Sequence, residues 1–352
     1  MKVLIVSMKY EYNTKNSGLS VSEFYFEKPI EALGHIVLSY DFGGRYSMIG
    51  RKAMNLELLE MIKDECPAIT LFVPYKDEFI PEMVDEMNKY TNTVGYFFDD
   101  TWRIVYSQFW AGYFKFVTTS SVNGINRWRD RGCNNFLYSP FACNHELLKK
   151  TDVPKKYDVS FVGGYHPYRA WVFRKLRKAG IDVHVWGFGW KTGPLDMADM
   201  INVFNQSKIN LNLSNNESFD LRFVLNFSRP ILETLRVVKK TYLSLVKSDA
   251  KTIEMVKARH FEINSCGGFQ LSFYVEGLEQ HYRIGEEIAI FQSTDEIIEK
   301  VKYYLKNENE REEIAKIGYK RTLEDHTLQQ RFKKLFSDIE RQIKNNNVQP
   351  SL

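Results

Sequence analysis

The sequence predicts an α/β protein built from two doubly wound domains, and three observations indicate this fold. The chain has 352 residues, more than the roughly 250 at which a single core stops growing. Short apolar, β-branched runs alternate with amphipathic stretches, as in parallel sheets covered by helices. The alternation restarts after a charged, proline-containing stretch, so we place a domain boundary between residues 152 and 153.

The predicted first domain, residues 1–152, begins with a buried strand at KVLIVS. A helix follows in VSEFYFEKPIEAL, ends at Gly34 and leads into a second strand at residues 35–40. The stretch NLELLEMIKDECPAITLFVP repeats this scheme, and NTVGYFFDD, FKFVTTSS and NNFLYSPFA supply further strands. The alternation predicts one parallel sheet with helices packed on it.

The predicted second domain, residues 153–330, repeats the pattern from the strand DVSFV onward. The helix YRAWVFRKLRKAG ends at Gly180, and the strand IDVHVWGFG, the helix LDMADMINVFNQSK and the strand INLNLS follow. Residues 215–251 match no such unit, and we treat them as an insertion. The strands GFQLSF and EIAIF and two charged helices complete the domain. Residues 346–352 form a polar tail that we expect to be disordered.

Composition excludes several classes of protein. The 48 basic and 44 acidic side chains give a formal net charge of +4, too small for general attraction to nucleic acids or membrane surfaces. The four cysteines lie far apart without a C-x-x-C pair, and the seven histidines show no metal-ligand spacing. The N-terminal apolar run is too short for a signal-peptide core or a membrane span. We therefore expect a cytoplasmic protein with no metal site and no transmembrane segment.

A glycine pair follows the first strand of the second domain in VSFVGGYHPYRAW. Gly163 and Gly164 allow the backbone to approach a phosphate closely, and Arg169 at the start of the next helix supplies a guanidinium. The motif lacks the third glycine of a dinucleotide fingerprint and the Lys-Ser/Thr ending of a P-loop. A phosphate site and a simple tight turn both fit this pattern.

A second candidate lies in VKARHFEINSCGGFQL, where charged side chains precede another glycine pair. If FEINSCG is helical, a carboxylate at its start can accept both hydroxyls of a ribose, and the basic side chains lie within reach of a diphosphate. A solvated charged turn is the alternative. The apolar neighbours of Glu262 favour the first interpretation, because a lone acid among apolar residues is usually partnered. The candidate residues are Glu254, Lys257, Arg259, Glu262, Gly267 and Gly268.

Three further segments are candidates. In WGFGW, residues 186–190, Gly187 ends a strand between tryptophans that can stack on a sugar or pack in the core. Asp99 and Asp100 at the end of a first-domain strand fit a general base or a divalent ion, and equally a loop or helix cap. The first loop offers backbone amides near Ser17 and Gly18 for an acceptor, with a mobile loop as the alternative.

The second half of the chain resembles the GT-B glycosyltransferases, especially the CgeB-like, spore-maturation type of the group 1 glycosyl transferases. The resemblance covers about residues 155–335 and rests on YDVSFVGGYHPYR, VHVWGFGW, KINLNLS and the stretch from KARHFEINSCGGFQLSF to the end of the domain. The first half is compatible through VGYFFDDTW. The family fold consists of two Rossmann-like domains that face a central cleft, so the resemblance predicts that architecture here.

The resemblance also implies an activity. It implies transfer of a hexosyl or N-acetylhexosaminyl group from a nucleotide sugar on the second domain to an acceptor on the first, with no cofactor and no obligatory metal. UDP is the expected nucleotide by family frequency. A surface glycan, a protein or a modified nucleic-acid base are the acceptors left open. The last helix, residues 331–345, is expected to return to the first domain.

The resemblance assigns roles to residues as well. Glu262 is similar to the ribose-binding glutamate, Lys257 and Arg259 to diphosphate ligands, and the glycine pair after the first strand to the phosphate-side turn. Glu254 matches the upstream glutamate of the family by spacing only, and Glu217 is the alternative.

Two other functions stay open at this point. One is a metal-dependent nucleotide-sugar transferase that holds a divalent ion with Asp99 and Asp100. The other is a non-catalytic sugar- or nucleotide-binding module that uses the aromatic rings of Trp186 and Trp190.

Overall fold

The computed structural model describes residues 1–10, 13, 20, 22–99, 103–213 and 254–348. The predicted insertion at 215–251 lies outside the described residues. The chain divides into two compact units, Met1–Asn144 with Thr327–Leu352, and His145–His326. The division after Asn144 precedes the predicted boundary because hydrogen bonds attach the linking segment to the second unit. There the Asn205 side chain accepts the N–H of Thr151 at 2.7 Å and donates to the Lys149 carbonyl at 3.1 Å.

The first unit contains a six-stranded, fully parallel sheet with the order β2-β1-β3-β4-β5-β6. Its strands are β1 (Lys2–Ser7), β2 (Ile36–Asp41), β3 (Ile69–Phe72), β4 (Asn92–Gly95), β5 (Phe116–Thr119) and β6 (Phe136–Tyr138). Its helices are α1 (Lys28–Glu31), α2 (Phe42–Glu65), α3 (Pro81–Met87), α4 (Ile104–Ala111), α5 (Val122–Asp130) and the last helix of the chain, α11 (Leu328–Val348). A π-helical turn, Glu23–Glu27, leads into α1.

Both faces of this sheet are covered, as the buried strand pattern predicts. Successive side chains of a strand point to opposite faces, so Leu4 and Val6 of β1 pack with α2, α3 and α4, while Val3 and Ile5 pack on the other side. That other side is covered by the π-helical turn and by α11, whose Phe332 is fully buried. The helix runs to Val348, into the segment predicted as a disordered tail, and residues 349–352 lie outside the described part.

The second unit contains a five-stranded parallel sheet with the order β11-β10-β9-β7-β8. The strands are β7 (Tyr157–Val162), β8 (His184–Trp186), β9 (Ser207–Asn212), β10 (Gln270–Phe273) and β11 (Ala289–Phe291). The helices are α6 (Pro167–Lys178), α7 (Met197–Gln206), α8 (Arg259–Ser265), α9 (Thr294–Lys306) and α10 (Glu308–Asp325). The prediction of two parallel-sheet, Rossmann-like domains is confirmed.

The strand order fixes where each sheet can hold a ligand. In each unit the second strand lies on one side of the first and the third strand lies on the other. The chain therefore reverses direction across the sheet beside β1 and beside β7. Doubly wound sheets bind ligands beyond the carboxyl ends of the strands at such a point. Within the described part of the chain, no helix is both long and apolar enough to cross a membrane.

Candidate functional site

A cavity of about 240 Å³ lies at the carboxyl ends of β7 and β9 in the second unit. Here the strand order reverses, so the fold leaves space between the loops that follow the two strands. The polar and glycine residues that line it are Gly163, Gly164, Arg169, Asn212, Glu254, Lys257, Arg259 and His260. The structure thus brings together two segments that the sequence analysis selected separately.

The turn after β7 is packed tightly against the end of β8. Gly187 has a φ of +139°, and a Cβ there would lie 2.2 Å from the carbonyl oxygen of Gly163. The same carbonyl accepts the indole N–H of Trp190 at 2.9 Å, and the Gly163 N–H donates to the Trp186 carbonyl at 2.8 Å. Glycine is required at 187 because neither the φ nor the space permits a side chain.

Trp190 contributes to this turn by packing. Its ring lies 5.6 Å from Phe173 and 4.9 Å from Tyr165. Together with its hydrogen bond to Gly163, these contacts match the core-packing alternative for WGFGW.

Arg169 is held in place by two backbone carbonyls at the cavity wall. Its Nη1 donates to Gly164 at 2.7 Å and its Nη2 donates to Leu213 at 2.6 Å, so one side chain connects the loops after β7 and β9. Burial lowers the pKa of Arg169 to about 10. The negative charge of Glu254 opposes this shift, and the positive charge of Arg259 adds a smaller lowering. At neutral pH the guanidinium is charged, and its Nε is buried without a partner among the described residues.

Arg259 and Glu262 form an ion pair along one side of α8. Arg259 Nη1 lies 2.9 Å from Glu262 Oε2, and its guanidinium carbon lies 5.1 Å from the centre of the Phe204 ring. The side chains are 27% and 19% exposed, respectively. Arg259 lines the cavity, whereas Glu262 is not among its described lining residues. The two residues to which the sequence analysis gave separate roles are therefore direct partners.

His260 lines the same cavity and was not selected from the sequence as a site residue. Its Nδ1 lies 3.1 Å from both the backbone N–H and the backbone carbonyl of Lys257, so the Lys257 backbone can pair with this nitrogen in either neutral tautomer. The other ring nitrogen, Nε2, is buried and has no hydrogen-bond partner in the described part of the chain. Burial lowers the pKa of His260 to about 4. The signals in the sequence were its position directly beside Arg259 and its place in the segment that leads to the second glycine pair.

Gly267 and Gly268 lie at the other end of α8 and are not among the described lining residues. A Cβ on Gly268 would lie 2.7 Å from the Asn210 side chain and 3.0 Å from the Phe204 carbonyl. Gly267 has a φ of +65° and faces the aliphatic part of Lys150. In the described structure, these glycines end the helix and let it approach the sheet closely.

The candidates of the first unit are only partly described. Asp99 follows β4, and its carbonyl accepts the N–H of Arg103 at 3.0 Å. Asp100, Ser17 and Gly18 lie outside the described residues, as does Glu217. Across the part of the chain that the structure describes, no group of three or more His, Cys, Asp and Glu side chains could hold a metal ion.

Comparisons with known proteins agree with this geometry. Residues 169–337 match the family model described as glycosyl transferase-like, a span that begins at Arg169 and contains α8. No curated protein matches the chain.

Solved structures with the same fold cover nearly the whole chain. A glycosyltransferase from Rickettsia africae has a TM-score of 0.63 at 11% identity and covers 98% of this chain and 99% of its own. Sucrose-phosphate synthase from Thermosynechococcus elongatus gives 0.60 at 9% identity, with 96% and 98% covered. Anabaena HepE, in complex with UDP and glucose, gives 0.59 at 9% identity, with 97% and 99% covered. The chain therefore has the GT-B fold, and residues 169–337 match a glycosyl transferase-like family.

Proposed function

We propose that the protein is a glycosyltransferase that takes a hexosyl or N-acetylhexosaminyl group from a nucleotide sugar, with UDP as the nucleotide, and that it is of the CgeB-like type. The observation that carries the proposal is the cavity of the second unit. Three cationic side chains, Arg169, Lys257 and Arg259, line it together with one carboxylate, Glu254. A nucleoside diphosphate has the charge that this lining favours, and the HepE structures hold UDP and UDP-glucose on a similar fold.

The cations address the main chemical difficulty of the reaction. When the bond between the anomeric carbon and the diphosphate oxygen breaks, the electron pair stays on the diphosphate, whose negative charge increases. Fixed positive groups that face this charge stabilise the transition state more than the ground state. Arg169 is pinned by two carbonyls, so little reorganisation is needed. With cations in this position the transfer is proposed to need no metal ion, and EDTA should leave turnover unchanged.

Glu262 has one oxygen available for a ribose. Its Oε2 pairs with Arg259, and its Oε1 makes no hydrogen bond to the described residues, so a ribose hydroxyl can donate to it. The carboxylate then has two roles: it binds the ribose, and it positions the Arg259 guanidinium. The acceptor, proposed to be a glycan, a protein or a nucleic-acid base, supplies the oxygen or nitrogen that forms the new bond. Asp99 and Asp100 are the candidates for the base that takes its proton.

Calorimetric titration with UDP tests the cavity. Lys257→Ala should weaken UDP binding by about tenfold or more, because one desolvated cation–phosphate contact is worth about 1.5–3 kcal/mol. Lys208→Ala is the matched control, since Lys208 is a lysine of β9 that pairs with Asp158 at 2.7 Å and does not line the cavity. Equal UDP affinity of wild type and Lys257→Ala would contradict the assignment.

Glu262→Ala and Arg259→Ala are expected to weaken UDP binding strongly and to leave folding intact. A UDP analogue without ribose hydroxyls separates the two roles of Glu262. If the carboxylate binds the ribose, Glu262→Ala loses affinity for UDP and little for the analogue. If it only positions Arg259, both ligands lose affinity equally. Wild-type UDP affinity in both variants would count against the site.

Catalysis itself is tested with a panel of nucleotide sugars and mass spectrometry. Slow release of nucleoside diphosphate is expected from a transferase, whereas a non-catalytic binding module would release none. Loss of this release in EDTA would instead favour the metal-dependent alternative with Asp99 and Asp100.

A further inference from the structure

The first unit contains a cavity of its own, of about 280 Å³, at the carboxyl ends of β1 and β2. Like the cavity of the second unit, it lies at the carboxyl ends of the strands of its own sheet. The side chains that determine its chemistry are Ser7, Lys9, Ser22, Glu23, Glu27 and Asp41. The acceptor contacts predicted at Ser17 and Gly18 lie outside the described residues, and neither residue belongs to the described lining of this cavity.

Two buried serines and a glutamate form a hydrogen-bonded chain in its wall. Ser7 Oγ lies 2.6 Å from Ser22 Oγ, and Ser22 Oγ donates to Glu27 Oε1 at 3.4 Å. A hydroxyl has only one proton to donate. Because Ser22 donates its proton to Glu27, the proton between the two serines comes from Ser7. Ser7 is 8% exposed and Ser22 is 6% exposed. The Ser7 oxygen therefore accepts no hydrogen bond from the described residues, and its lone pairs can accept one from a ligand.

The π-helical turn Glu23–Glu27 creates this arrangement. The N–H of Lys28 donates to the carbonyl of Glu23, five residues earlier, so the turn is wider than that of an α-helix. Residues five apart then lie on the same side of the turn, which brings Ser22 and Glu27 together. Glu23 and Glu27 both line the cavity. Single π turns are rare and occur often at functional sites.

The charges of the described lining are mainly negative. Glu23, Glu27 and Asp41 contribute three carboxylates against the single ammonium of Lys9. Asp41 Oδ1 already accepts the backbone N–H groups of Lys9 and Gly44, at 3.0 and 3.1 Å. Glu27 has Ser22 as its described hydrogen-bond donor, so its second oxygen is available. Such a wall attracts a cation and repels phosphate or carboxylate, the reverse of the cavity in the second unit.

We propose that this cavity binds a hydroxylated ligand that carries a protonated amine, such as an amino sugar. The amine contacts the carboxylates of Glu23 and Glu27, and a ligand hydroxyl or the amine donates to the Ser7 oxygen. If the proposed glycosyl transfer holds, this ligand is the acceptor. Only this identification as the acceptor rests on the proposed function. Binding can be measured without any nucleotide.

Three sugars that differ in one substituent test the proposal: glucosamine, glucose and glucuronate. Saturation-transfer NMR titrations of the full chain, without nucleotide, should give glucosamine an affinity about tenfold higher than glucose, the equivalent of one charge-assisted hydrogen bond. Glucuronate should bind more weakly than glucose. The proposal is overturned if glucuronate binds as well as glucosamine, or if glucosamine shows no binding up to about 50 mM.

Substitutions locate the site. Glu27→Gln and Glu23→Gln should each lower the affinity for glucosamine severalfold and leave that for glucose nearly unchanged. Glu31→Gln is the matched control, because Glu31 lies one turn further along, pairs with Lys28 at 3.1 Å and does not line the cavity. The same loss in Glu31→Gln as in Glu27→Gln would show that only general charge matters and would overturn the proposal.

A UDP titration of the same preparations separates this proposal from the proposed function. Glu27→Gln should bind UDP as wild type does, which also shows that the chain is folded. Wild-type protein that binds glucosamine but not UDP would refute the nucleotide-sugar assignment and leave this site standing. Protein that binds UDP but not glucosamine would do the opposite.

Discussion

At the scale of single residues, His260 shows how burial fixes a protonation state. The ring is buried in the second unit, its Nδ1 lies 3.1 Å from the N–H and from the carbonyl of Lys257, and burial lowers its pKa to about 4. The unfolded chain binds a proton at an ordinary histidine pKa of about 6.5. Between these values the unfolded state carries more protons than the folded state. The contribution of His260 to the free energy of unfolding is therefore fully present above about pH 6.5 and is lost as the pH is lowered toward 4.

His260→Asn should remove this dependence. The asparagine amide supplies both a donor and an acceptor for the Lys257 backbone and has no titrating group. The wild-type free energy of unfolding in urea should fall by about 2 kcal/mol more between pH 7 and pH 5 than that of the variant. His184→Asn, at a histidine 44% exposed, should keep the wild-type slope. Equal slopes in wild type and His260→Asn would show that the ring is not held neutral.

At the scale of elements, the site depends on how closely the ends of β7 and β8 approach each other. Gly187 lies against the backbone of Gly163, and hydrogen bonds from Gly163 and Trp190 close the contact. The loop that lines the cavity is thus fixed by packing behind it. A substitution at Gly187, which does not line the cavity, should therefore still affect binding.

Gly187→Ala should destabilise the second unit by about 3 kcal/mol or more, since the new methyl adds a backbone clash to an unfavourable φ. Gly193→Ala is the control: its φ is also positive, +73°, but nothing lies within 4 Å of the added Cβ, so about 1 kcal/mol is expected. Thermal unfolding measures both, and UDP titration below the transition should show loss of affinity in Gly187→Ala only. Equal destabilisation of the two variants would contradict the close packing.

Elements defined by local sequence patterns were predictable, and those defined by contacts were not. The strand DVSFV, the glycine pair and the helix that follows appear as β7, the turn and α6 because each depends on neighbours in sequence. The sequence analysis considered a helix at FEINSCG only as a condition, and the structure forms α8 there. Its Arg259–Glu262 pair is separated by three residues, a spacing that places side chains together on a helix and could have been recognised.

The cavity of the first unit could not have been recognised in this way. The stretch EFYFE continues an ordinary amphipathic helical pattern, and nothing in it indicates a π turn. The contact of Ser7 with Ser22 joins a strand end to that turn across a loop, so it depends on the folded path of the chain. His260 was missed for a related reason, because its importance comes from burial and not from a motif.

At the scale of the whole molecule, the first unit is discontinuous in sequence. Its sheet comes from the first 144 residues, but one face is covered by α11 from the end of the chain. Phe332 of α11 is fully buried, with its ring 5.6 Å from Phe26 and 6.3 Å from Tyr96. The backbone of Leu328 donates to the Cys143 carbonyl at 2.9 Å, so the chain re-enters the unit beside the point where it left.

Phe332→Ala should therefore destabilise the N-terminal half of the sequence, by about 3–5 kcal/mol for loss of a buried aromatic ring. Calorimetric unfolding should show a lower melting temperature for the first unit. A second transition, which UDP should raise if the nucleotide binds the folded second unit as proposed, should be little changed. A single transition that shifts as a whole, or a shift only in the UDP-sensitive one, would contradict this division.

The return of α11 also sets an order for biosynthesis. A ribosome releases residues 145–326 before the helix that carries Phe332. At that stage the second unit has all of its sequence, whereas the sheet of the first unit still exposes the apolar face that α11 will cover. Domains usually fold in order of emergence. In this chain the sheet of the first unit is translated before the second unit but becomes complete only after it, when α11 has been made.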